Sequence, residues 1–205
     1  NEAWYPGDTL NVIIGQGRVL ATPMQMAQVA AILANKGKRT KPKLVHAIHT
    51  AHTDTLTKQP VEETLVVNVQ QEKNWDIVID AMQKVVHLPG GTAYRISKGL
   101  SYKIAGKTGT AQVFNLKQNE KYEVNKVKAH LRDHSWFIAF APVTNPQIAI
   151  AVIIENKHTK AAADIARVVL DGFFNSKSPS DTSDTTGEDE NEVGGEEQVE
   201  ETHRE

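Results

Sequence analysis

The chain has 205 residues, enough for one domain with a sizeable core, and no cysteine, which excludes a disulfide framework, a zinc–thiolate site and a thiol nucleophile. Its net charge of -2 conceals two opposite parts: residues 176–205 carry 11 acidic and 2 basic residues, and the rest of the chain carries 14 acidic and 21 basic ones. The basic residues of the body are scattered rather than interleaved with aromatics, and no helix-turn-helix, zinc-finger or RNP-like signature occurs, so nucleic acid is not an expected partner.

Residues 1–6, Asn1-Glu2-Ala3-Trp4-Tyr5-Pro6, read as the middle of a loop. There is no initial Met, signal peptide or long apolar run, so a longer polypeptide is expected, with any membrane anchor upstream. Gly15-Gln16-Gly17 reads as a tight turn. A helix is predicted over 23–36, with Thr22 as its N-cap, Pro23 in the first helical position and Gly37 closing it. It is apolar almost all round, which predicts a buried helix. Short strands are expected over 44–50 and 65–69. His46, His49 and His52 fall in this region. On a strand His46 and His49 face opposite sides, with no carboxylate to complete a set, so no metal is expected.

A second helix is predicted over 71–87, with Trp75, Ile79, Met82 and Val86 on its inner face and Pro89-Gly90-Gly91 ending it. Residues 101–114 read as strand. Residues 115–133 are polar and long for a strand connection. Strands over 135–141 and 147–155 follow, joined by the hairpin-like Pro142-Val143-Thr144-Asn145-Pro146. The second is apolar on both faces, so a cover on both sides is expected. One cover is the helix predicted over 161–174, with Ile165, Val168, Val169 and Phe173 on its inner stripe. The expected fold class is α/β (α+β): an antiparallel sheet flanked by helices. The acidic tail, 176–205, has almost nothing apolar to offset the entropy of ordering, and disorder is expected there.

Within the strand, Lys107-Thr108-Gly109-Thr110 concentrates a cation, two hydroxyls and a glycine. Alternation puts Thr108 and Thr110 on one face and Lys107 on the other, so a twist or bulge would be needed to turn the lysine toward the hydroxyls. Two hydroxyls so spaced can both donate to one carboxylate. Gly109 leaves room for a ligand against the strand. Backbone N–H groups on an accessible strand can stabilise an oxyanion. The pattern suits an acyl-transfer site that recognises a terminal carboxylate.

Other segments carry a resemblance over residues 4 to about 174. They are Trp4-Tyr5-Pro6-Gly7-Asp8-Thr9, Gly15-Gln16-Gly17, Ala21-Thr22-Pro23-Met24-Gln25-Met26 and Gly91-Thr92-Ala93. The Lys-Thr-Gly strand with Ala111-Gln112-Val113-Phe114 follows, then Leu131-Arg132-Asp133-His134, Ala139-Phe140-Ala141-Pro142, Asn145-Pro146-Gln147 and Glu155-Asn156. In this order they resemble the C-terminal part of the transpeptidase domain of class B penicillin-binding proteins, in particular its elongation-specific peptidoglycan D,D-transpeptidases.

The resemblance implies a β-lactamase/transpeptidase-like fold, incomplete at its N-terminal side, with residues 1–175 in the transpeptidase domain. It implies a serine acyl-enzyme formed on the D-Ala-D-Ala end of a stem peptide and trapped by β-lactam antibiotics. A glycan polymerase and elongation-complex proteins are the implied partners, and the periplasmic side of the bacterial inner membrane is the implied location. No cofactor is implied. Lys107 would polarise the site and hold a Ser-x-Asn loop. Thr108 and Thr110 would bind the carboxylate, the Thr110 N–H would form half of the oxyanion hole, and Gly109 would permit close approach. Asp133 and His134 are expected to start a core strand rather than to act in the cleft.

The chain departs from the family in one respect. None of Ser97, Ser101, Ser135, Ser176, Ser178, Ser180 and Ser183 begins Ser-x-x-Lys or Ser-x-Asn. The chain by itself is therefore expected to be inactive. A β-lactam-binding sensor module and a serine β-lactamase are the alternative readings. The Gly-Gln-Gly and Ala-Thr-Pro segments, with the long polar stretch, favour the transpeptidase.

Overall fold

A computed structural model describes residues 3–17, 19–60, 63–113, 127–157 and 161–176. The segment expected to be loop begins a helix instead, α1 (Pro6–Ile13). Pro6 takes its first position, and Asp8 Oδ2 accepts the Tyr5 N–H at 2.9 Å, which satisfies an otherwise open donor. Leu10 and Ile13 remain exposed, so the helix lacks a buried stripe and left little periodic signal. Gly15 and Gly17 then form the expected turn, both with left-handed φ.

The α2 helix (Pro23–Ala34) starts as predicted. Thr22 Oγ1 accepts the Gln25 N–H at 3.2 Å, and Gln25 Oε1 accepts the Thr22 N–H at 2.8 Å. It ends through Gly37, at φ 97°, whose N–H reaches the Ile32 carbonyl at 2.9 Å. The expected all-round burial is corrected. Only Ala30 is buried, and Met24 and Val29 are exposed. A helix apolar on every side needs neighbours on every side, and among the described residues α2 rests mainly on one layer, the sheet.

Two small ribbons follow. β1 (Lys38–Thr40) pairs antiparallel with β4 (Glu63–Val66), and β2 (Ala47–Thr50) forms a hairpin with β3 (Thr55–Lys58). The strands expected over 44–50 and 65–69 are thus shorter or shifted, and β1 and β3 are additions. The β2–β3 ribbon is largely exposed, so no buried face imposes the alternation that sequence reasoning looks for. His49 in β2 does meet a carboxylate: its Nε2 lies 2.7 Å from Asp54 Oδ1 on the surface.

In α3 (Lys73–His87), Trp75, Met82 and Val86 are buried at the predicted spacing. A turn and a short 3-10 segment, Tyr94–Ser97, lead to the main sheet. That sheet is an antiparallel meander of β5 (Ala105–Ala111), β6 (His134–Ala141) and β7 (Ile148–Ile154), in the order β5-β6-β7. The expected cover on both faces is present: α2 packs on one side and α4 (Ala161–Ser176) on the other. Met82, Ala105 and Phe140 form a core with Leu33 of α2. Phe137, Ala139 and Ala141 join Ile104 and the α4 residues in a larger one.

The inner stripe of α4 is not the predicted one. Ala162, Ala163, Ala166 and Leu170 are buried, whereas Ile165, Val168 and Val169 are exposed. Small alanines let the helix backbone approach the sheet. A polar row also sets its rotation: Arg95 Nη2 donates to Asp164 at 2.7 Å, Tyr102 Oη donates to Asp171 at 2.7 Å, and Arg167 Nη1 donates to the Ile96 carbonyl at 2.5 Å. Hydrophobicity alone selected the larger side chains and missed both effects. Residues 114–126 and residues 177–205 of the acidic tail lie outside the described residues, and Ser176, assigned to that tail, instead ends α4; a 3-10 turn, Ala129–Leu131, precedes β6.

Candidate functional site

Strand β5 carries all four residues singled out in the sequence, and among the described residues it forms an edge of the sheet. The register pairs Thr108 with Phe137, Gly109 with Trp136 and Thr110 with Ser135, with no bulge. Cross-strand partners share a face, so Thr108 and Thr110 lie on the side of Phe137, and Lys107 lies on the other, as alternation dictates. Lys107 is exposed and does not cross to the hydroxyls. Its Nζ folds along the strand and donates to the Thr108 carbonyl at 2.7 Å.

Glycine is required just before the motif. A Cβ on Gly106 would sit 2.5 Å from Phe137 Cζ, beneath a ring that is fully buried. At Gly109 the nearest atom would be Trp136 Cβ at 3.2 Å, so the strand there is open. Gly109 and Thr110 are exposed, and Thr108 is half-buried.

A turn from the end of α3 braces this strand. His87 Nε2 accepts the Ile104 N–H at 3.0 Å. Burial, then the nearby Lys103 ammonium, push the His87 pKa below its ordinary value, and the bond uses the lone pair of the neutral ring. The Ala93 N–H donates to the Val85 carbonyl at 3.1 Å, and Ala93 is fully buried. Gly91 fits so closely that a Cβ would meet the Val85 carbonyl oxygen at 2.3 Å. Between these fixed points, Thr92 Oγ1 lies 2.8 Å from Thr108 Oγ1. Sequence reasoning assigned Thr92 no role. Gly91-Thr92-Ala93 marked the segment, but only the fold brings it to the strand.

Asp133 and His134 behave as a strand start. Asp133 is buried, and His134 Nδ1 accepts the Asn156 N–H at 2.9 Å across the turn from β7. Among the described residues no three His, Asp or Glu side chains converge as metal ligands would. The strand therefore offers an ammonium, two hydroxyls and accessible backbone. That set can bind an anion and stabilise a developing oxyanion, but it holds no nucleophile.

The antiparallel sheet between helices and the Lys-Thr-Gly strand at its edge define a class. The model of the penicillin binding protein transpeptidase domain matches residues 1–171, and the chain belongs to that family. Among curated relatives, the peptidoglycan D,D-transpeptidase MrdA of Haemophilus influenzae is 40% identical over 181 residues, covering 86% of this chain and 27% of its own length. PBP2 of Pseudomonas aeruginosa, solved in complex with WCK 5153, superimposes with a TM-score of 0.63 at 39% identity, over 84% of this chain and 33% of that one. PBP2 of Helicobacter pylori, solved in complex with MreC, gives a TM-score of 0.62 at 28% identity, over 85% of this chain and 29% of the other. The chain thus spans about a quarter of the length of the curated relative.

Proposed function

We propose that the chain is part of a peptidoglycan D,D-transpeptidase of the elongation type, in which it forms the carboxylate-binding wall of the cleft. The carrying observation is the open, edge-lying Lys107–Thr110 strand in a chain of the transpeptidase family. In this reading the Thr108 and Thr110 hydroxyls donate to the terminal carboxylate of a D-Ala-D-Ala stem peptide or to the carboxylate of a β-lactam. Gly109 lets the ligand lie against the strand. A serine outside these 205 residues attacks the penultimate carbonyl. The oxygen of the tetrahedral intermediate takes a hydrogen bond from the Thr110 N–H, a contribution worth about 10²–10³ in rate at comparable sites. D-Ala leaves, and the amine of a neighbouring stem peptide resolves the acyl-enzyme. Lys107 supplies positive potential at the rim and, when the Ser-x-Asn loop is present, trades its bond to Thr108 for one to that loop.

The transpeptidase relatives favour this reading over a sensor module or a β-lactamase. The Helicobacter complex supports an MreC-like elongation partner, and a glycan polymerase partner follows from the same assignment. Among the described residues no helix is long and apolar enough to cross a membrane. The proposed location, the periplasmic face of the inner membrane, follows from the proposed substrate, since cell-wall stem peptides lie outside that membrane. Labelling with a fluorescent penicillin tests the proposal. The full-length protein is labelled and the 205-residue piece is not; labelling of the piece alone refutes the assignment of the nucleophile to a segment outside it. In the full-length protein, Thr110→Val slows acylation by carboxylate-bearing β-lactams with little loss of stability, and an unchanged rate removes Thr110 from the carboxylate site.

A further inference from the structure

We infer that Thr92 is a positioning residue that sets the direction of the Thr108 hydroxyl proton and so prepares Thr108 to donate to a carboxylate. The inference rests on the reading of Thr108 as a carboxylate ligand. Its starting point is the 2.8 Å contact between Thr92 Oγ1 and Thr108 Oγ1, sixteen residues apart in sequence. Each hydroxyl has one proton and two lone pairs, so only one of the two can donate across this contact.

The two arrangements have opposite consequences. If Thr108 donates to Thr92, its proton is used, and it turns a lone pair toward any incoming anion. If Thr92 donates to Thr108, the Thr108 proton is free for the carboxylate. The three groups then form a chain in one direction, from Thr92 to Thr108 to the anion, in which each bond polarises the next. A negative charge at the strand selects this second arrangement, because an anion repels a lone pair and attracts a proton.

The geometry around Thr92 makes the contact a fixed feature. Gly91 is held against the α3 backbone, where a Cβ would meet the Val85 carbonyl oxygen at 2.3 Å. Ala93 is fully buried and bonded through its N–H to that same carbonyl at 3.1 Å. Thr92 is the exposed residue between them and has only a short rotor to orient. On the other side, Thr108 is held by pairing with the fully buried Phe137. A serine retains the hydroxyl at position 92, and a valine keeps the shape while removing it.

The test compares benzylpenicillin with its methyl ester on the full-length transpeptidase, reading the second-order rate constant of acylation. The ester lacks the anion and does not draw on the relay. Thr92→Val is expected to lower the rate with benzylpenicillin about tenfold, the scale of one hydrogen bond to a charged acceptor, and the rate with the ester less than about twofold. Thr92→Ser should restore benzylpenicillin to within about twofold of the parent. Thr108→Val should remove most of the preference for the anionic ligand, and Thr92→Val on that background should add nothing further. Equal losses with both ligands in Thr92→Val would make Thr92 merely structural and overturn the inference. So would an unchanged benzylpenicillin rate in Thr92→Val alongside a large loss in Thr108→Val. An unchanged rate in Thr108→Val would instead refute the carboxylate role of Thr108 itself.

Discussion

Gly106 and Gly109 lie three residues apart on β5, yet their replacement by alanine should have separable effects. A Cβ on Gly106 would sit 2.5 Å from Phe137 Cζ, 3.0 Å from its Cε2 and 3.2 Å from the Ile138 carbonyl oxygen. Carbon atoms rest at about 3.5–4.0 Å, so the ring or the strand must move by roughly 1 Å. Phe137 is fully buried in the larger core and has no free space to enter. Overpacking of this kind costs about 1–3 kcal/mol, and for a domain of this size each kcal/mol lowers the melting temperature by about 2–4 °C. A drop of about 4–8 °C is expected for a cost of about 2 kcal/mol. At Gly109 the added carbon would meet only Trp136 Cβ, at 3.2 Å, and replacing a glycine restricts the unfolded chain. Gly109→Ala should melt within about 2 °C of the parent but, with a methyl crowding Lys107 on the Trp136 face of the edge strand, react at least tenfold more slowly with penicillin. Thermal unfolding and stopped-flow acylation of the full-length protein read the two effects. A Gly106→Ala protein that melts within 1 °C of the parent would refute the close contact with Phe137. An unimpaired Gly109→Ala protein would refute the effect of crowding Lys107.

Further expectations concern the supports of that strand. The His87 pKa is depressed in the folded state, so as pH falls the unfolded chain takes up the proton first; the contribution of His87 is complete above about pH 6.5 and is lost as pH drops toward the folded value. The denaturant midpoint should therefore fall between pH 7 and 5, and His87→Gln should flatten that slope; an equal slope in the variant would clear His87 of the effect. Tyr102→Phe removes the donor to Asp171, whose pKa is pushed up by burial but brought lower overall by its bonds to Tyr102 and Arg167. It should cost about 1–2 kcal/mol by chemical denaturation, and a neutral result would show that Arg167 alone satisfies the carboxylate. Ala166→Leu, at a fully buried point of α4, should destabilise by about 1–3 kcal/mol, whereas Val168→Ala on the exposed side should stay within about 0.5 kcal/mol. The reverse pattern would restore the apolar stripe expected from the sequence.

The elements that sequence reasoning found are those in which local chemistry and burial agree. Thr22, Pro23 and Gly37 bracket α2 by capping, and Trp75, Met82 and Val86 fall on one face of α3. The alternating register of β5 follows from the strand itself, so the facing of Thr108 and Thr110 was legible as well. Where burial was absent the signal failed: α1 and β3 expose most of their apolar side chains, although β2 fell within the strand predicted over 44–50. In α4 the signal misled, because alanines at close approach and the salt-bridged row of Asp164, Arg167 and Asp171 outweigh larger residues left in solvent. Thr92 was hidden for a different reason. Its importance lies in a contact made sixteen residues away, and no pattern within its own segment encodes that contact.

The anchoring of α4 also bears on when the Lys107–Thr110 strand can first be held in place. Arg95 and Tyr102 precede β5, yet the partners of their side chains, Asp164 and Asp171, come 69 residues later in each case. At ribosomal speeds of about 5–20 residues per second, roughly 3–13 s separate the synthesis of Ala111 from that of Ser176. Over the later part of that interval, once Ala141 has been made, the nascent chain carries Lys107–Thr110 while the face of β6 destined for α4 stays bare, with Phe137 and Ala139 open to solvent or to a chaperone. A strand placed in the middle of the sequence is thus completed by a helix made much later, and a chain interrupted before Ala161 would carry every residue of the motif without the backing that holds it in place.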